Sequence, residues 1–207
     1  MTRVIGVIGD VHGNAAALTG LLALVEARYD HLVLVGDYVN RGKDSAAVLQ
    51  LLVERAGDPG RFSLVAGNHD LAFLACLESD ALQHFLMIGG AATIRSYVPA
   101  VEADVLRQLR AAVPPSHLRL LRSLRSHFHE DGLLVTHAPR DVPPVQAPVL
   151  FHVYGHVPQR SLVPAVTRAA AAIDTGCATL TDGRLSCLAW PSLEVTQVDD
   201  AGREVRP

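Results

Sequence analysis

Five short stretches of the 207-residue chain share one device. GDVHGN at 9–14, GDYVNRG at 36–42 and GNHD at 67–70 each follow an apolar run, and so do His137, closing LLVTH, and His156, in VYGH. After each run, four times through a glycine, comes a side chain able to ligate a metal. Together Asp10, His12, Asp37, Asn68, His137 and His156 offer carboxylate, amide and imidazole donors and no thiolate. That set suits two borderline divalent ions such as manganese, iron or zinc rather than a structural zinc. One carboxylate between the ions would bridge them. Two such ions about 3.5–4 Å apart can hold a hydroxide between them and bind phosphate oxygens on the same side. The chemistry expected is phosphoester hydrolysis.

Residues so far apart can meet only if the fold gathers them. Residues 3–9 form a short apolar run, and 15–28 then show helical spacing through Leu18, Leu21, Leu22 and Val25. The same order recurs with HLVLV at 31–35 and a helix over about 44–56, then with 61–66 and a helix over about 70–77. Three strand–helix units predict a largely parallel sheet, whose carboxyl ends lie along one edge and form a single crevice. Glycine there lets the backbone turn sharply and approach a ligand. Alone, Asp10 or Asn14 reads as a helix cap and His137 or His156 as an ordinary strand-end histidine. Recurrence after five strands is what argues for a metal site.

From about 80 to 127 the pattern is helical and irregular, interrupted by Gly89-Gly90, Pro99 and Pro114-Pro115, with little specific chemistry. Short strands are expected at 132–136, 149–154, about 171–174, 184–190 and 193–198, and a second sheet is expected to pack on the first. PRDVPPVQAP at 139–148 is expected as an irregular surface loop. The chain reads as a single domain, 1–207, with a helical insertion at about 80–127. His31, His84, His117, His127 and His129 lack the Gly-ligand context and are expected as surface or capping residues, while His152 shares a strand face with His156 and is a candidate neighbour of the ligands.

Composition narrows the partners. Hydrophobic residues are 49% and aromatics 5%, so Leu, Val and Ala must fill the core. A net charge of -3 argues against binding a nucleic-acid polymer through a broad basic surface. The three cysteines, Cys76, Cys177 and Cys187, have no ligand spacing and are expected as free interior thiols in a reducing compartment. RVIGVIG stops at Asp10, too short for a membrane span or a signal segment, so a cytoplasmic protein without membrane partners is expected.

GDVHG, GDYVNRG, GNHD, the strand-end TH and the later GH resemble the calcineurin-like metallophosphoesterases, and within them the phosphoprotein phosphatase family and its bacterial relatives. IDTGC at 173–177 followed by GRLSCLAW is similar to the closing strands of bacterial members. The resemblance implies an α/β, four-layer αββα sandwich of two mixed sheets flanked by helices. It implies that Asp10, His12 and a bridging Asp37 hold one metal, and that Asp37, Asn68, His137 and His156 hold the other. It also implies that Arg41 grips the substrate phosphate, as its planar fork suits, and that His69 donates a proton to the leaving oxygen.

Most protein phosphatases of this type read GDYVDRG; here Asn40 replaces the aspartate that pairs with the histidine. A neutral amide orients His69 without stabilising an imidazolium, which weakens the acid and matters most for poor leaving groups. Bacterial diadenosine tetraphosphate hydrolases tolerate Asn at that point and carry GNHD, whereas IGGAATIRSYVP and SHLRLLRSL look more like bacterial serine/threonine phosphatases. The segment between His137 and His156 is short and offers only Arg140 as a further phosphate ligand. The leading expectation is a dimetal phosphoesterase, with manganese first among the ions, that hydrolyses phosphate monoesters in the manner of a bacterial serine/threonine protein phosphatase, on a phosphoprotein, small phosphoester or nucleotide; dinucleoside polyphosphate hydrolysis is the alternative. A non-catalytic scaffold is the remote third reading, and no ligand has been lost to favour it.

Overall fold

A computed structural model of the chain describes residues 3–100 and 102–205. The expected domain span of 1–207 also takes in residues 1–2, 101 and 206–207, which lie outside the described residues. The three anticipated units are present: β1 Ile5–Ile8 and α1 Ala15–Val25, β2 His31–Leu34 and α2 Ser45–Ala56, β3 Phe62–Leu64 and α3 Asn68–Glu78. β1, β2 and β3 pair in parallel, with Val7 beside Val33 and Val33 beside Ser63. Four helices follow, α4 Leu82–Met87, α5 Ala91–Tyr97, α6 Val105–Ala112 and α7 Pro115–Ser123.

The second half supplies β4 His127–Glu130, β5 Leu133–Thr136, β6 Phe151–Tyr154, β7 Ala165–Val166, β8 Ala170–Ala172, β9 Arg184–Trp190, β10 Val195–Asp199 and β11 Glu204–Val205. β9, β10 and β11 extend the first sheet in antiparallel fashion, giving the order β11-β10-β9-β1-β2-β3. The other sheet runs β4-β5-β6-β8-β7, with β5, β6 and β8 parallel. The fold is therefore α/β, two mixed sheets packed face to face and flanked by helices, in agreement with the expected sandwich.

Period-two alternation explains why the central strands read as unbroken apolar runs. Val33 and Val35 enter the core between the sheets with Val7, Val135 and Val153, whereas Leu32 and Leu34 face the helices. Leu18, Leu21, Leu22 and Val25 bury one stripe of α1 in that helical core. The helix starts where it does because the Asn14 side chain accepts the N–H of Ala17 at 2.9 Å.

Several local expectations need correction. α3 begins at Asn68, inside the GNHD motif. β4 begins at His127, where the helical stretch was expected to end, and had no expectation of its own; nor had the short strands β7 and β11. His31 opens β2 as expected but is buried: its Nε2 lies 3.0 Å from Ser63 Oγ and its ring stacks on Phe128. His117 is also buried, with its ring nitrogens 2.7 Å from the Tyr97 hydroxyl and 3.2 Å from Gln50 Oε1. Satisfied ring nitrogens are what allow both histidines inside. Residues 139–148 form no helix or strand, and the three cysteines are free and buried, as expected. No helix among the described residues is long and apolar enough to cross a membrane.

Candidate active site

The loops leaving β1 and β2 are joined by backbone hydrogen bonds. The N–H of His12 donates to Asp37 O at 2.8 Å, that of Gly13 to Tyr38 O at 2.9 Å, and that of Gly42 to His12 O at 2.9 Å. The close fit requires unusual backbone: His12, Asp37, Asn40, Arg41 and His156 all have positive φ, between 44° and 73°. Such conformations cost roughly 1–3 kcal/mol each and persist where surrounding structure enforces them, commonly at functional sites. Glycines make room for the carboxylates, since a Cβ on Gly67 would collide with the Asp37 side chain and one on Gly155 with that of Asp10.

Asp37 is the centre of the arrangement. Its Oδ2 lies 3.7 Å from His12 Nε2, 3.4 Å from His137 Nε2 and 3.9 Å from His69 Nε2. Two groups of potential ligands share it: His12, Asp37 and His69, and Asp37, His137 and His156, with the donor atoms of each group within 4.8 Å of one another. His137 Nε2 also lies 3.0 Å from Asn68 Oδ1 and 3.1 Å from His156 Nδ1. Asp10 accepts the backbone N–H of His156 at 3.1 Å. The Nδ1 atoms of His12 and His137 face the carbonyls of Val39 and Val35, so Nδ1–H donates outward and each Nε2 lone pair turns to the crevice.

The electrostatics point the same way. Burial, with Asp174 and Asp37 nearby, holds the Asp10 carboxyl well above its ordinary range; burial and Asp70 do the same for Asp37. Burial also raises Asp174. Burial drives His12 down to about 3, and His69 and His137 to about 4, with His69, Arg41 and His156 respectively as the next causes. Neutral imidazoles and crowded carboxylates make a donor set that favours cations and has none of its own beyond Arg41. Arg41 borders the crevice, about 530 Å³ in volume, and has no hydrogen bond or ion pair among the described residues. The residues present therefore fit a pair of divalent ions.

The structure brings the nine expected site residues to one place, Arg41 through the crevice it borders and the others through the contacts described, with two qualifications. Asp10 belongs to neither three-residue group, whereas His69, expected as a proton donor, belongs to one. Its Nδ1 lies 2.8 Å from Asn40 Nδ2, the pairing expected for those two residues. His152 lies 2.8 Å from Thr136 Oγ1, one residue before His137, and does not line the crevice. Arg140 is exposed in the irregular loop.

Two carboxylates were given no role by the sequence reading, although they stand in the quoted motifs GNHD and IDTGC. Asp174 lines the crevice and follows β8, so it repeats the strand-end device with the aspartate ahead of the glycine. Asp70 is buried at the third position of α3 and accepts the N–H groups of Asp37 and Gly67 on Oδ2 at 2.8 and 3.0 Å and of Tyr38 on Oδ1 at 2.9 Å. It braces the loop that presents Asp37; its signals in the sequence were the close of GNHD and an acid at a helix start.

The model of the calcineurin-like phosphoesterase family matches residues 3–160. The chain belongs to that family. Among its curated relatives, it is 36% identical over 134 residues to a symmetrical bis(5'-nucleosyl)-tetraphosphatase of Nitrosomonas europaea, a match covering 63% of this chain and 42% of the relative. A protein of the same name from Edwardsiella ictaluri is 54% identical over 71 residues, covering 33% and 24%. The chain thus spans less than half the length of these curated relatives. In fold, this calcineurin-like phosphoesterase is similar to a candidate diadenosine tetraphosphatase of solved structure (23% identity, TM-score 0.63, covering 96% of this chain and 94% of the other). It is also similar to a metallophosphoesterase from Sphaerobacter thermophilus (17% identity, TM-score 0.58, covering 99% and 88%).

Proposed function

We propose that the chain is a dimetal phosphoesterase that hydrolyses a phosphoanhydride bond of a dinucleoside polyphosphate. The observation that carries this reading is Asp37 shared between two candidate ligand groups beside Arg41, which has no ion pair among the described residues. The choice of substrate is supported by the names of the curated relatives. Asp10, His12 and Asp37 would hold one ion, and Asp37, Asn68, His137 and His156 the other; manganese suits these donors, as do iron and zinc. When bound, the pair supplies a water of lowered pKa and neutralises phosphate charge.

The chain's own groups do the rest. Arg41 binds the equatorial phosphate oxygens through its guanidinium fork. His69 holds a proton toward the leaving oxygen, and Asn40 orients its ring. Water adds to phosphorus as one phosphorus–oxygen bond of the anhydride breaks, and two nucleotides leave. A nucleoside diphosphate carries its departing charge well, which matches a histidine partnered by a neutral amide.

The monoesterase reading rested on IGGAATIRSYVP and SHLRLLRSL. In the fold, Gly89 lies against Arg41 and Thr93 against Asn40, so the first segment serves machinery common to both readings and implies nothing about a protein substrate. We therefore place the dinucleoside polyphosphate first. Three buried thiols suit a reducing cytoplasm.

Steady-state rates of the manganese-loaded chain on diadenosine tetraphosphate, a phosphoserine peptide and p-nitrophenyl phosphate test the proposal. The expected result is the highest kcat/KM on the first, with two ADP formed per molecule. A preference for the peptide would refute it, as would purified protein that takes up no divalent ion.

A further inference from the structure

Asn40, Ser45 and Thr93 are fully buried polar residues from the loop after β2, the start of α2 and the middle of α5. The backbone N–H of Asn40 donates to Thr93 Oγ1 at 2.9 Å and to Ser45 Oγ at 3.2 Å. The two hydroxyl oxygens lie 2.9 Å apart, and Thr93 Oγ1 lies 2.8 Å from Asn40 Oδ1. A hydroxyl has one proton and two acceptor positions. Ser45 has no other acceptor among the described residues, so its O–H donates to Thr93. The Asn40 N–H takes the second acceptor position of Thr93, and the threonine proton goes to Asn40 Oδ1.

That assignment fixes which end of the amide faces His69. With Oδ1 on Thr93, Asn40 Nδ2 is the atom 2.8 Å from His69 Nδ1, and an NH2 group can only donate there. His69 Nδ1 is then an acceptor, and the proton of the neutral ring resides on Nε2, the nitrogen facing Asp37 across the crevice. The turned-over amide would place the proton on Nδ1 and leave Nε2 a lone pair, making His69 a ligand beside His12 and Asp37.

We infer that Thr93, with Ser45, is a positioning residue that locks the Asn40 amide so that His69 presents Nε2–H to the substrate as a neutral imidazole instead of ligating a metal. The inference rests on the proton-donor role proposed above. It gives the helical insertion a part in the chemistry. It also explains how Asn40 serves where a carboxylate would accept from Nδ1–H: the neutral ring stabilises the leaving oxygen through a hydrogen bond from Nε2–H, without the full proton transfer that an imidazolium makes and that would leave this ring an imidazolate.

The test is nitrogen-15 NMR of the histidine-labelled 207-residue chain loaded with Zn2+ or Mg2+, with His69 assigned from His69→Gln. The expected spectrum has a protonated Nε2 and an unprotonated Nδ1. Thr93→Val, close in shape, should populate the Nδ1–H form and lower kcat on an alkyl phosphate about tenfold with KM unchanged, about 1.4 kcal/mol in barrier. Thr93→Ser should restore both. A wild-type ring protonated on Nδ1 would overturn the inference, as would a Thr93→Val spectrum identical to wild type. If Thr93→Val does not fold, the wild-type and Thr93→Ser spectra decide. Hydrolysis by a wild-type protein protonated on Nδ1 would refute the relay while leaving the phosphoesterase reading intact.

Discussion

Replacing Asp70 with asparagine separates a bracing carboxylate from a mere bystander. Asp70 receives three backbone N–H groups, two on Oδ2 and one on Oδ1. An asparagine has one acceptor oxygen and one donor nitrogen. With its oxygen on Asp37 N–H and Gly67 N–H, its NH2 must face the Tyr38 N–H, leaving a buried donor unpaired at about 1–3 kcal/mol. The other two bonds lose their charge assistance, which brings the expected loss to about 2–5 kcal/mol in the metal-loaded protein at pH 7.5. That is a large share of the roughly 5–15 kcal/mol typical of a domain. Asp37, held at a φ of 54°, depends on this brace, so metal affinity should fall about 10- to 100-fold, the usual effect of losing a supporting group. Urea unfolding at saturating manganese and titration calorimetry measure the two quantities. Charge alone gives a contrary result for the metal-free protein, because removing Asp70 relieves repulsion on Asp37. An unchanged or raised urea midpoint with manganese bound, together with affinity within about twofold of wild type, would refute the brace.

Three further outcomes follow from the same geometry. Asn40→Asp lets His69 donate Nδ1–H to a carboxylate and stabilises its imidazolium, so hydrolysis of alkyl phosphates should quicken more than that of activated aryl phosphates; equal effects in kcat would count against the pairing. Gly89→Ala places a methyl 3.2 Å from Arg41 Cδ at a backbone φ of 97°, and should weaken competitive inhibition by inorganic phosphate about tenfold, a change of about 1.4 kcal/mol; unaltered inhibition would mean that Arg41 does not bind phosphate. Burial raises the Asp70 carboxyl to about 7, so folding without metal binds protons that the unfolded chain has released. The histidines, lowered to about 3 or 4, act oppositely, because the unfolded chain goes on releasing their protons to about one pH unit above their unfolded value of about 6.5. From pH 6.5 to 8 Asp70 should therefore take about 1 kcal/mol from the stability of the metal-free protein, read as the difference in pH dependence between wild type and Asp70→Asn in urea titrations; parallel pH profiles for the two would contradict the assignment.

The ligand types and their order were legible in the amino-acid sequence because each sits beside the strand that carries it. An apolar run, a glycine and a metal-competent side chain are neighbours in the chain, and parallel pairing of β1, β2 and β3 necessarily brings their ends to one edge. Asp174 was within reach of the same rule, in reversed order. His31 and His117 were misplaced because their burial depends on Ser63, Tyr97 and Gln50, none of which is adjacent to them. The shared place of Asp37 between two candidate ligand groups was already implied by the family resemblance; only the tertiary structure decided that Asp70 turns to backbone N–H groups and that Thr93, 53 residues from Asn40, settles the orientation of its amide. The reason is physical: side-chain periodicity selects a face, but the partner of a buried hydrogen-bonding group is chosen by how distant elements pack against one another.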